Sequence, residues 1–136
     1  ITGYLNIPVV TTPLELAPEP NIIYDENQVS FDIEVHDISD VGIGISLVQM
    51  QVSWSDNIDD SEFLNIIKIG GSEVYPSGAS VVSGTVVDTV ATLLPIGIHT
   101  INLYFDGFAV MSGKTFNIIF NSSSESYPVE FEVPLT

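Results

Sequence analysis

The sequence predicts an all-β fold, an antiparallel immunoglobulin-like β-sandwich of about seven to nine strands. Apolar and polar residues alternate along many short runs, as they do in half-buried strands. Turn-forming residues separate these runs at intervals of roughly ten residues. No run keeps the 3.6-residue spacing of an amphipathic helix.

The clearest runs lie in residues 98–105, 114–120 and 127–133. Side chains alternate across a strand, so each run places its apolar residues on one face. We expect three consecutive antiparallel strands here, forming the core of the domain. The residues expected to face inward are Ile101, Leu103, Phe105, Phe116, Ile118, Phe120, Tyr127, Val129, Phe131 and Val133.

Two further runs, residues 27–38 and 46–55, alternate in the same way. Shorter strands are expected at residues 63–69 and 72–75, joined by a turn at Gly70-Gly71, and within residues 80–94. Trp54 is expected in the core, with a glycan-stacking platform as the alternative. The inward residues of the two longer runs are Val29, Phe31, Ile33 and Val35, and Val48, Met50, Val52 and Trp54.

The charge balance limits the partners. Two lysines and no arginine face 18 carboxylates, which gives a formal net charge of −16. Binding to nucleic acid or to anionic lipid needs clustered cationic side chains, so neither is expected. The remaining partners are cations, glycans, basic surface proteins and copies of the same chain. Only 15% of residues are charged and 45% are hydrophobic, which indicates an ordered domain.

The sequence also indicates a compartment. It has no apolar run of about 18 residues that would insert in a membrane. It contains no cysteine and does not begin with methionine. A removed leader or a cropped longer protein would explain the first residue, and both suit an exported protein. We therefore expect an extracellular or cell-surface location.

The sequence predicts two parts. Residues 1–21 form an edge or donor-type strand followed by a proline-rich connector, and residues 22–136 form the sandwich. Residues 1–10, here called the N-terminal segment, could fold back onto their own sheet or pair with an open edge of a neighbouring subunit. A tether to a missing segment is the third alternative. The residues expected to mediate self-assembly are Tyr4, Leu5, Ile7 and Val9.

The acidic stretch at residues 56–62 is a candidate metal site. Asp56, Asp59, Asp60 and Glu62 could supply oxygen ligands to calcium, although the spacing is not that of an EF-hand. A solvated acidic turn is the alternative. No other cofactor is expected.

No catalytic residue is expected. His36 and His99 are the only histidines, and both are expected on the surface. Neither a Gly-x-Ser-x-Gly motif nor a paired-histidine zinc spacing occurs. A pair of glycosidase carboxylates stays open, but no spacing favours it. Asn121 begins an Asn-Ser-Ser sequon on an expected turn, which makes it a candidate glycosylation site.

One half of the chain resembles a known family. From residue 63 to residue 133, strands and turns follow one another around a Met-Ser-Gly-Lys-Thr-Phe core at residues 111–116. This resembles the β-rich extracellular parts of archaeal and bacterial type IV pilin-like and related surface filament proteins. The hydrophobic helix by which such pilins polymerise is absent from this sequence. If that helix was cropped, the chain is a pilin-like head domain; if it never existed, the N-terminal segment is the candidate device for assembly. The resemblance implies no catalytic residues.

Two functions follow as expectations. The first is a non-catalytic structural subunit or head domain of a surface filament, forming a homopolymer by strand pairing and apolar contacts. The second is a cell-surface binding module, dependent on calcium or directed at glycans. That module would use the acidic stretch or exposed aromatic side chains, expected at Tyr24, Tyr75, Tyr104 and Phe108.

Overall fold

The structure, a computed structural model, describes residues 12–37, 43–55, 61–75, 80–108 and 111–135, without the side chains of residues 61, 107 and 108. In these ranges it contains ten β-strands and no helix, which confirms the all-β prediction. The strands are β1 (Leu14–Leu16), β2 (Ile23–Asp25), β3 (Gln28–Val35), β4 (Gly44–Trp54), β5 (Ser61–Ile69), β6 (Ser72–Tyr75), β7 (Val86–Pro95), β8 (Gly97–Phe108), β9 (Thr115–Asn121) and β10 (Ser126–Glu132).

The strands form two antiparallel sheets. The first has the order β1-β3-β8-β5-β6, with β2 also paired to β3, and the second has the order β10-β9-β4-β7. The orders β1-β3-β8-β5 and β10-β9-β4 match strands A-B-E-D and G-F-C of an immunoglobulin sandwich, with β7 added beside β4. At one side β1 contacts β10, and at the other side β6 contacts β7.

The three C-terminal runs are strands, but they do not form one three-stranded unit. β8 lies in the first sheet between β3 and β5, whereas β9 and β10 lie in the second. The expectation of three consecutive paired strands was therefore wrong. A sandwich core needs two apolar faces opposite each other, and alternation along a strand cannot say to which sheet it belongs.

The predicted inward residues of β4 are correct at Met50, Val52 and Trp54 and wrong at Val48. The pairing of β4 with β7 shifts register between Leu47 and Gln49. This β-bulge reverses the alternation, so Leu47 is buried and Val48 is only half-buried.

β5 and β6 form the predicted hairpin. Gly70 and Gly71 both have positive φ angles, 59° and 88°, at the two central positions of the turn. A tight turn of this kind requires positive φ at both positions, which glycine adopts without steric cost.

Aromatic rings connect the two sheets through the core. The ring centre of Phe31 in the first sheet lies 4.5 Å from that of Phe131 in the second sheet. The Phe131 ring stacks on the Phe116 ring, with 5.3 Å between their centres. The ring centres of Phe116 and Phe105 lie 6.0 Å apart. The Phe105 ring packs edge-on against Trp54, with 5.0 Å between the ring centres. Trp54 is buried, so its expected place in the core is confirmed and the glycan-platform alternative is wrong.

Part of the predicted connector belongs to the first sheet. Leu14–Leu16 pair with β3, and Ala17 N donates a hydrogen bond to Asp32 O. The N-terminal segment and its self-assembly residues lie outside the described residues.

Candidate functional site

A glycine-dependent turn carries Lys114 into the core. Lys114 N donates to Met111 O, and Gly113, at the third position of this turn, has a φ angle of 80°. Gly113 N donates to Val133 O, and Val133 N donates to Lys114 O. This is the bonding of a β-bulge whose first residue is a left-handed glycine. It sets the register of β9 so that Lys114 points inward with Phe116.

The Lys114 side chain ends at Glu62 of β5. Lys114 Nζ lies 2.8 Å from Glu62 Oε1, and both side chains are almost completely buried. Lys114 Nζ also donates to Ser55 O at 3.0 Å. Within the part of the chain that the structure describes, Glu62 Oε2 has no hydrogen-bond partner. One of the two lysines of a chain with net charge −16 is therefore used inside the sandwich.

The ion pair links the two sheets where β4 ends and β9 begins. Ser55, which accepts from Lys114, is also bonded to the next residue: Ser55 N donates to Thr115 O, and Ser55 Oγ accepts from Thr115 N. A buried ion pair is weak evidence for stability, but it penalises any register that leaves one charge unpaired. We interpret Glu62 and Lys114 as a pair that fixes the register of β9.

The pairing of Glu62 with Lys114 is not among the residues predicted from the sequence, although alternation contained the signal. Lys114 is separated by even numbers of residues from Phe116, Ile118 and Phe120, so alternation places all four on the inward face. A charged residue in phase with an apolar face is a sign of a buried charge that needs a partner.

The predicted calcium site lies partly outside the region that the structure describes. Asp56, Asp59 and Asp60 are outside the described residues. Glu62 is paired with Lys114 through Oε1. Residues 12–37, 43–55, 61–75, 80–108 and 111–135 hold no group of three or more potential metal ligands. The calcium site stays a prediction.

Both histidines bond at the surface of the sandwich. His36 Nε2 lies 2.5 Å from Glu15 Oε2 and connects β1 to the end of β3. His99 Nε2 donates to Pro95 O at 2.7 Å. Each imidazole therefore joins neighbouring parts of the chain.

The predicted glycan-binding aromatics do not converge. Tyr24 on β2 and Tyr75 on β6 lie at opposite edges of the first sheet, and both pack against the core. Tyr104 lies between them, on β8, with Lys68 Nζ 5.2 Å from its ring centre. The Phe108 side chain lies outside the described residues.

Asn121 is the last residue of β9 and is half-buried. Its Oδ1 accepts a 2.6 Å hydrogen bond from Ser126 Oγ. The turn that follows lines an open groove of about 730 Å³. The groove is rich in serine and includes Thr12, next to the N-terminal segment. Glycosylation of Asn121 stays a prediction.

Most sheet edges in the described residues are poor templates for another strand. β1 and β2 have three residues each, and β6 has four. β10 contains Pro128, which cannot donate a backbone hydrogen bond, and exposes Glu130 and Glu132. Short strands, proline and charges are the devices that protect sheet edges from pairing.

β7 differs from the other edges. It is a ten-residue edge strand, and its exposed apolar residues include Val86, Val90 and Leu93; we call this strand and these side chains the β7 edge. Its one charged residue, Asp88, accepts a hydrogen bond from Gln49 Nε2 at 2.9 Å. Between residues 74 and 105 Asp88 is the only Asp, Glu, Lys or Arg in the sequence. The β7 edge is thus an apolar, charge-poor surface on a strongly acidic protein.

Comparisons with known proteins give little further guidance. No protein-family model matches the chain, and no curated protein matches its sequence. Among solved structures the chain is similar to CfaE, the adhesive subunit of the CFA/I fimbria of enterotoxigenic Escherichia coli, with a TM-score of 0.36 and 11% sequence identity. The similarity covers 90% of this chain and 44% of CfaE, so this chain spans less than half the length of that subunit.

A likeness at this TM-score does not establish a shared fold. The resemblance to type IV pilin-like proteins has no support from the sequence comparisons and stays a prediction. In the described parts of the chain we find no helix with the length and apolarity needed to span a membrane.

Proposed function

We propose that this chain is a non-catalytic structural subunit of an extracellular surface filament, and that it polymerises through its N-terminal segment. The observation that carries the proposal is the separation of charge. The first 14 residues contain no Asp, Glu, Lys or Arg, whereas the whole chain has a net charge of −16. The N-terminal segment precedes β1, which lies at an edge of the first sheet.

Electrostatic repulsion explains why such a segment suits assembly. Two copies that each carry a formal charge of −16 repel each other wherever their acidic surfaces meet. Burying an unpaired carboxylate in a contact is costly. A contact made by an uncharged apolar strand avoids that cost. Strand pairing adds backbone hydrogen bonds that do not depend on charge.

The alternation within the N-terminal segment assigns roles to its residues. Leu5, Ile7 and Val9 would share one face of a strand and supply apolar contacts to the accepting subunit. Tyr4 would lie on the opposite face. Pro8 interrupts the backbone donors, which favours pairing along one side only.

The sandwich supports this role as a rigid module. Its core joins both sheets through stacked rings and through the pair formed by Glu62 and Lys114. A subunit of this kind transmits force between its neighbours without needing a cavity or a reaction centre.

The test compares filament formation by the full chain and by two single variants, using electron microscopy and sedimentation. We expect filaments from the full chain and loss of filaments for Ile7→Glu, because a carboxylate would enter the apolar contact. Asn6→Glu is the matched control, since it adds the same charge one residue away on the opposite face. Filaments formed equally well by Ile7→Glu would refute assembly through this segment.

The alternative function, a cell-surface binding module, has one feature in its favour. The groove beside residues 122–128 is open and rich in serine, a surface that suits a neutral glycan better than a charged ligand. Calorimetry with a glycan panel and with calcium tests this alternative. Binding heat from a chain that never assembles would favour the module over the filament subunit.

A further inference from the structure

The β7 edge combines three properties that occur together on none of the other edges in the described residues. It is long, with ten residues. It lacks proline until its last residue, Pro95. Its outward side chains include Val86, Val90 and Leu93, and Val90 is 58% exposed. Exposed apolar surface of this kind commonly marks an interaction site.

We propose that the β7 edge is the acceptor for the N-terminal segment of a second copy of this chain. The inference rests on the proposed function and names the surface that the polymerising strand occupies. The donor has no charged side chain, and the acceptor strand has one, Asp88. The two strands therefore match in polarity and in low charge.

Donor and acceptor belong to different edges of the sandwich. The donor precedes β1, which lies beside β10. The acceptor β7 lies beside β6 at the other side of the sandwich.

The same arrangement explains a filament. The donor precedes β1 at one side of the sandwich, and the acceptor lies at the other side. With the donor bound to another copy, each copy would still offer a free acceptor. A head-to-tail contact of two different surfaces does not close on itself as a two-fold contact does. It adds copies in one direction unless the rotation between them closes a ring.

The bulge in β7 restricts what can pair there. The register with β4 shifts between Thr92 and Asp88, and Thr92 Oγ1 donates to Val90 O within the shifted stretch. Any regular strand that pairs here, the proposed donor included, has its hydrogen bonds interrupted at this point. Apolar contacts to Val90 and Leu93 would then supply the affinity that the interrupted ladder does not.

The sequence contains no cysteine, so a cross-linker that reacts with thiols joins only the cysteines that are introduced. Full-length Leu5→Cys and Leu93→Cys are mixed under assembly conditions and treated with a short bis-maleimide. We expect a covalent dimer that neither variant forms alone. The matched control is Ile23→Cys, which is exposed on β2 at the opposite edge of the first sheet. It should give no dimer with Leu5→Cys.

Each outcome supports or overturns the inference. If filaments form but Leu5→Cys cross-links to Ile23→Cys, or to neither partner, the acceptor is not the β7 edge and the proposed function stands. If a chain carrying both Leu5→Cys and Leu93→Cys cross-links only within itself, the occupant is not a second copy. If the unmodified chain forms no filaments, the proposed function fails first.

A charge variant gives an independent readout. Leu93→Glu places a carboxylate on the β7 edge and should raise the concentration needed for assembly by about tenfold or more, because the charge is desolvated in the contact. Ile23→Glu adds the same charge elsewhere and should leave that concentration within about twofold of the unmodified chain. Equal values for the two variants would overturn the assignment of the acceptor.

Discussion

Lys114 Nζ lies 2.8 Å from Glu62 Oε1, and neither side chain is more than marginally exposed to solvent. The pair joins β5 of one sheet to the beginning of β9 in the other. The chain has only one other lysine and no arginine, so Lys114 supplies half of its lysine and arginine charge to the sandwich interior.

Removing only the lysine should strongly destabilise the fold. Lys114→Met leaves Glu62 buried opposite an apolar side chain, and breaking a buried pair in this way typically costs about 3–5 kcal/mol. Urea unfolding followed by the fluorescence of Trp54, the only tryptophan, measures the free energy of unfolding. If Lys114→Met lowered the free energy of unfolding by less than about 0.5 kcal/mol, the pair would not be a buried ion pair.

Removing both partners should restore most of that loss. The double variant Lys114→Met and Glu62→Met replaces the charges with apolar side chains, which is often neutral or stabilising. Lys68→Met, on the surface over Tyr104, is the control and should change stability by less than about 1 kcal/mol. Additive single effects in this cycle would contradict a coupled pair.

Gly113 should tolerate asparagine better than alanine. Its φ angle of 80° lies in the left-handed region, which costs an L-residue such as alanine roughly 1–2 kcal/mol. Any added Cβ would also approach Leu135 Cδ2, but Leu135 is exposed and can move. We expect Gly113→Ala to lower stability by about 1–2 kcal/mol and Gly113→Asn by less. The same cost for both variants would mean that contact with Leu135, and not φ, dominates.

Salt should promote assembly. Each copy carries a formal charge of −16, and the proposed contact is apolar, so ionic strength screens repulsion without weakening the contact. Light scattering should show a lower critical concentration at about 0.15 M salt than at about 0.01 M, conditions with screening lengths of about 8 and 30 Å. Assembly that weakens as salt rises would indicate attraction between charges and would contradict an apolar contact.

Glycosylation at Asn121 should add mass to protein taken from its own host. Mass spectrometry should give the peptide that contains Asn121 a mass above that of its sequence. Both Asn121→Gln and Ser123→Ala should remove the excess, because the sequon needs both residues. Ser122→Ala retains the sequon and is the control. An excess mass that survives Asn121→Gln would place the modification elsewhere.

The alternation of side chains predicted most of the core but not its layering. The predicted inward residues of β3, β8, β9 and β10 are buried in the structure, except Tyr127, which is half-buried. Alternation succeeds on these strands because each has one wet face and a regular period. Which strands share a sheet depends on contacts distant in sequence, such as Phe31 with Phe131, which periodicity does not encode.

Two local features were also beyond simple alternation. The bulge at Leu47 and Gln49 reversed the face of Val48, and neither glycine nor proline lies at that point of β4 to signal it. Lys114 was in phase with the apolar face but could be paired with Glu62 only through the fold, since 52 positions separate them. Alternation could not predict the β7 edge, because the position of β7 at the end of its sheet depends on the fold.

The most direct test of the central claim is electron microscopy of the full chain beside its Ile7→Glu variant, at matched concentration and ionic strength. We expect filaments with a regular repeat from the full chain and dispersed monomers from the variant. Dispersed monomers in both samples, or filaments of equal number and length in both, would contradict a subunit that polymerises through its N-terminal segment.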